Sequence, residues 1–129
     1  MFTPQIAVNL PVSDLLTSVA FYQSLGWENI PEYSDDRAAA FQVGDAVVLM
    51  LLTSDYFDSF HPGETVPAHG PREVLNALIL PTRADVDKLA DRARGAGAEV
   101  YREPSEVDGM YGAAFADPDG HAWEAMGEE

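Results

Sequence analysis

The chain has 129 residues, 47% of them hydrophobic, which is enough apolar material for one domain with a buried core and too much for a disordered chain. Its 22 acids against 7 lysines and arginines give a formal net charge of -15, which suits a soluble acidic surface, favours cationic ligands and makes nucleic acid and anionic membranes poor partners. The absence of cysteine excludes disulfides, thiolate metal sites and a cysteine nucleophile, and no run of about 18 apolar residues offers a membrane-spanning helix.

Met1-Phe2-Thr3-Pro4-Gln5 has neither a basic region nor an apolar stretch, so a cytoplasmic start is expected. Gln5 to Pro11 reads as a strand ended by proline. Ser13 is the predicted N-cap of a helix with Leu15, Val19, Phe21, Tyr22 and Leu25 near helical spacing, stopped by Gly26. Three strands are predicted next, over Trp27 to Tyr33, Ala38 to Val43 and Ala46 to Leu52, with Gly44-Asp45 as the turn between the last two. Residues 53–72 break the pattern with three prolines, two glycines and two histidines, and Tyr56, Phe57 and Phe60 suit one helical turn there.

The pattern then restarts. Val74 to Pro81 is a second strand ended by proline, and Thr82 caps a helix with apolar Val86, Leu89 and Ala93, closed by Gly95 and Gly97. Strands over Glu99 to Tyr101, Gly112 to Ala116 and Ala122 to Met126 follow, the last two joined by the turn Asp117-Pro118-Asp119-Gly120. Leu10-Pro11 aligns with Leu80-Pro81, and the helices start and stop at matching offsets. This is a two-fold internal repeat, with module one at 1–53, a connecting loop at 54–72 and module two at 73–129.

Asn9-Leu10-Pro11-Val12-Ser13-Asp14-Leu15, followed by Phe21-Tyr22 and Leu25-Gly26-Trp27, resembles the opening module of the vicinal-oxygen-chelate superfamily of glyoxalases, bleomycin-resistance proteins and extradiol dioxygenases. Asp117-Pro118-Asp119-Gly120-His121-Ala122-Trp123-Glu124 resembles its closing signature. Met50-Leu51-Leu52-Thr53 and Gly109-Met110-Tyr111-Gly112 are similar to a bacterial subgroup labelled predicted lactoylglutathione lyase. The resemblance covers essentially the whole chain. It implies an α+β fold of two β-α-β-β-β modules forming a curled mixed sheet around a cleft, and a homodimer as the default assembly.

In metal-dependent members of that superfamily, the first and last strand of each module each supply a ligand, drawn from His, Glu and Gln, and the ion activates adjacent substrate oxygens. Carried over by position, the first-strand ligands fall on Ala7 and Asn76, and the last-strand ligands fall on Met50, or Val48 with the gap moved, and on Glu124. One carboxylate and one amide do not hold a divalent ion, so no metal and no cofactor is expected at the usual site. His121 is three residues from Glu124, which places it on the opposite strand face, while His61 and His69 either fold over the cleft or stay exposed on the loop.

Glu124 in an apolar cleft is then expected to titrate high and to act catalytically as a general base, or to anchor a ligand amine. Asn9, Met50, Asn76 and Tyr111 are the expected substrate-binding residues. Asn76 either orients a carbonyl or bonds to Glu124 as a buried polar pair. The Tyr56, Phe57 and Phe60 cluster reads as a lid over a flat ligand or as a subunit contact. The expected function is binding of a small organic molecule, cationic or aromatic, without the usual metal. The alternative is a metal-dependent glyoxalase-like lyase or ring-cleaving dioxygenase.

Overall fold

A computed structural model describes residues 3–128. The chain divides into two compact units at Pro67 and Ala68, inside the predicted connecting loop. Each unit is a four-stranded mixed sheet with a helix on one face.

In the first unit β1 (Ile6–Val12) leads through α1 (Leu15–Ser24) to β2 (Glu28–Ile30), β3 (Ala38–Gly44) and β4 (Val47–Thr53), followed by the short helix α2 (Ser54–Asp58). The sheet order is β1-β4-β3-β2, with β1 and β4 parallel and the other pairs antiparallel. The crossover from β1 lays α1 on one face, where Ser18, Phe21, Tyr22 and Leu25 are buried along with Phe41, Leu49 and Leu51 of the sheet. Tyr22 is completely buried, stacks on Trp27 at 5.4 Å, and lies 5.0 Å from the Phe21 ring and 6.1 Å from the Phe41 ring at the centre of this core.

The second unit repeats the plan with β5 (Asn76–Leu80), α3 (Arg83–Gly95), β6 (Glu99–Val107), β7 (Met110–Ala116) and β8 (Ala122–Gly127), in the order β5-β8-β7-β6. Thr82 and Asp85 form a reciprocal capping box at the start of α3, as the Thr82 cap predicts. Val86, Leu89, Ala90 and Ala93 of α3 are buried with Ala113, Phe115, Trp123 and Ala125 of the sheet. The turn before β8 is held by Asp117, whose Oδ1 accepts from the backbone N–H of Asp119 at 3.0 Å and of His121 at 2.8 Å. Gly120 there has φ +99°, and a Cβ on it would stand 2.7 Å from that of His69, so both conformation and space call for glycine.

Three sequence expectations need correction. The α1 cap is Asp14, one residue later than Ser13, because its carboxylate reaches the Thr17 N–H at 3.2 Å. The strand predicted over Trp27 to Tyr33 ends at Ile30, where Pro31 starts a single 3-10 turn. The strand predicted over Glu99 to Tyr101 runs on to Val107 through Pro104, which an edge strand tolerates. It turns into β7 through Asp108-Gly109, both at positive φ, a hairpin the sequence reading passed over. Among the described residues no helix is long and apolar enough to cross a membrane.

Candidate functional site

With a helix on one face of each sheet, chemistry is left to the other, open face. Strand alternation and register decide which side chains stand there. In the first unit Ala7 is level with Val48 and Asn9 with Met50, which is in turn level with Ala40. In the second unit Ala77 is level with Glu124, and Glu124 with Ala114, which is level with Arg102 on β6.

This register places the expected residues one by one. Asn9 and Met50 are neighbours on the open face of the first sheet. Glu124 is half-buried on the open face of the second, over Ala77 and Ala114, with no hydrogen-bond or ion-pair partner among the described residues. Asn76 is not beside it. Its partner is Trp123, whose ring is buried on the helix face, so the expected Asn76–Glu124 pair does not form; a one-residue offset in a strand reverses the face. Tyr111 also belongs to the helix-side rows, level with Gly127, and its hydroxyl donates a hydrogen bond to Asp87 of α3. That bond holds the Tyr111 phenol above its ordinary pKa. Tyr111 still borders a cavity of about 410 Å³ shared with Ile79, Met110 and Met126. His121 is buried at the start of β8, and His69 packs on Gly120.

Level with Ala7 in the first unit stands Val48 rather than Met50, and level with Glu124 in the second stands Ala77 rather than Asn76. Neither pair offers more than one carboxylate, and a divalent cation takes about three protein ligands. Among the described residues no three His, Asp or Glu side chains gather into a group that would hold one.

The first unit carries a different kind of site. Thr53 ends β4 and α2 follows at once, so the chain folds back along the open face and brings its aromatic side chains over β1 and β4. Asn9, Leu52, Phe57, Phe60 and His61 enclose a cavity of about 370 Å³. Its wall is apolar apart from the Asn9 amide and the His61 ring. That composition, at that volume, suits a small organic ligand. Phe60 is 65% exposed, and its ring packs edge-on against Tyr56 at 4.8 Å, with the Arg37 guanidinium over the Tyr56 ring at 4.2 Å from its centre. His61 is packed on Phe57 at 5.2 Å. Its Nδ1 bonds the Pro62 carbonyl at 3.0 Å and its Nε2 meets Thr65 Oγ1 at 2.9 Å, while the Thr65 hydroxyl donates to Asp58 at 2.5 Å. The sequence reading singled out Asn9 and the aromatic cluster but not Leu52, which looks like any core leucine until the register sets it on the open face.

Comparison with known proteins adds the following. The family model described as the glyoxalase/bleomycin resistance protein/dioxygenase superfamily matches residues 5–125. No curated protein matches the chain. Among solved structures, a hypothetical protein, SA1046, from S. aureus is 28% identical with a TM-score of 0.80, covering 98% of this chain and 94% of that one. A glyoxalase-related enzyme from Fulvimarina pelagi is 21% identical with a TM-score of 0.82, covering 98% of this chain and 88% of that one. A lactoylglutathione lyase from Agrobacterium tumefaciens is 20% identical with a TM-score of 0.70, covering 95% and 91%; this likeness and the preceding one show the fold alone.

Proposed function

The chain belongs to the glyoxalase/bleomycin resistance protein/dioxygenase superfamily, and within it we propose a small-molecule-binding protein that works without the family's usual ion. The observation that supports this best is the cavity bounded by Asn9, Leu52, Phe57, Phe60 and His61. Its aromatic walls favour a flat, largely apolar ligand, and the Asn9 amide offers one donor and one acceptor to a polar group on its edge. Met50, beside Asn9, extends the apolar floor. Glu124, half-buried on the second sheet and without a partner among the described residues, is the residue we assign to a cationic group of a ligand or to proton abstraction. A metal-dependent lyase or dioxygenase would need donors where Ala7, Val48 and Ala77 stand. A homodimer is proposed for the assembly, in the cytoplasm.

The test is a fluorescence titration with the uncharged aromatic probe N-phenylnaphthylamine in the presence of chelator. A ligand that covers about 50–100 Å² of the Phe60 ring gains about 1–2 kcal/mol from it, so Phe60→Ala weakens binding roughly 5- to 30-fold. Equal affinity of Phe60→Ala and wild-type protein, or binding that needs an added divalent ion, would sink the proposal.

A further inference from the structure

The loop that closes the cavity is tied by a chain of three hydrogen bonds whose protons can be counted. The Pro62 carbonyl only accepts, so His61 Nδ1 must donate to it. Thr65 has a single hydroxyl proton, and that proton goes to the Asp58 carboxylate, which when ionised only accepts. Thr65 Oγ1 then has no proton left for His61 Nε2, so Nε2 must donate as well. With all three bonds made, the His61–Thr65–Asp58 chain holds one proton more than a neutral imidazole and a carboxylate carry. The count is the same if that proton sits on Asp58 and the two hydroxyl bonds run in reverse.

We propose that this extra proton latches the aromatic wall of the cavity, so that ligand affinity falls as pH rises from about 5.5 to about 8; this rests on the cavity being the binding site. When the proton leaves, two acceptors face each other at Pro62, at Thr65 or at Asp58, one bond must open, and the loop that carries His61 and Phe60 loses one of its three ties. The groups that share the cavity or the hydrogen-bonded chain with the ring are Asn9 from β1, Leu52 from β4, and from α2 Phe57 and, through Thr65, Asp58; of these only Asp58 is ionisable. Glu64, next to Thr65 in sequence, is exposed. By reciprocity, a ligand that favours the latched loop takes up protons when it binds.

The experiment is the titration with N-phenylnaphthylamine, a probe whose charge does not change over the range, at about pH 5.5 and about pH 8 on wild-type protein, Thr65→Ser and Thr65→Val. Wild-type protein and Thr65→Ser, which keeps the hydroxyl, are expected to bind at least about fivefold more weakly at the higher pH. Thr65→Val is expected to bind at both pH values with no such slope. Binding by wild-type protein with no pH slope overturns the latch and leaves the binding site standing, as does a slope that persists in Thr65→Val. Failure of the wild-type protein to bind at either pH overturns the site and the latch together.

Discussion

Gly127→Ala tests the register that sets Glu124 on the open face. Gly127 is the last residue of β8, three positions beyond Glu124 and therefore on the helix face. A Cβ there would stand 2.7 Å from the Thr82 carbonyl carbon, 3.0 Å from Val86 Cγ2, and closer still to the Thr82 carbonyl oxygen. Carbon contacts settle near 3.5–4.0 Å, so a gap of about 1 Å must open between β8 and the first turn of α3. No side-chain rotation relieves a clash with backbone. Overpacking costs about 1–3 kcal/mol and disturbing the Thr82 cap about 1 more, so about 3 kcal/mol is expected. With an unfolding entropy of about 2.1 cal/mol/K for each of the 129 residues, this lowers Tm by about 11 °C in differential scanning calorimetry. Gly95→Ala is the control: nothing lies within 4 Å of its Cβ position, so it is neutral or stabilises by up to about 1 kcal/mol. A Tm for Gly127→Ala within about 2 °C of wild type would refute the packing of β8 on α3, and with it the face assigned to Glu124.

Three further outcomes follow from particular contacts. Asp117→Ala removes the acceptor for two backbone N–H groups ahead of β8 and lowers stability by about 1–3 kcal/mol, read from the urea midpoint; an unchanged midpoint contradicts the turn. Tyr111 is held protonated by Asp87, so its contribution to stability is complete below the ordinary phenol range and is lost as pH rises through the raised folded value. Spectrophotometric titration should therefore show one phenol component moving to lower pH in Asp87→Ala, and an identical curve in that variant contradicts the bond. Glu124→Gln should weaken cationic aromatic ligands more than neutral ones; equal effects on both would remove its assignment as the cation anchor.

The fold was legible because the repeat is written in punctuation. Pro81 stands just past the end of β5 and Pro11 one residue before the end of β1, Thr82 announces α3, and Asp117 to Gly120 announces the turn into β8. The strand β6 was legible only at its start. Arg102 to Glu106 is polar and contains Pro104, which reads as loop, yet β6 is the edge of its sheet, where one side of the backbone needs no partner. The Asp108-Gly109 turn was the available signal for its far end.

The candidate site was legible residue by residue but not as an arrangement. Asn9 and Met50 were legible as separate candidates, and only the β1–β4 register makes them neighbours. The Asn76–Glu124 pair failed through a slip of one position: Ala77, not Asn76, matches Ala7 when the Leu-Pro pairs are aligned, and in a strand one position exchanges one face for the other. The hydrogen-bonded chain from His61 to Asp58 spans a loop with no regular period, so nothing in its sequence pattern announces it.

The central claim is that the cavity of the first unit binds an aromatic ligand without an ion. The most direct test is a two-dimensional amide NMR titration of isotope-labelled protein with N-phenylnaphthylamine in chelator, repeated after adding zinc, nickel, manganese or iron(II). The account predicts shifts centred on Asn9, Leu52, Phe57, Phe60 and His61, present in chelator and unchanged by each metal. Shifts absent in chelator that appear around Glu124 once a metal is added would contradict it.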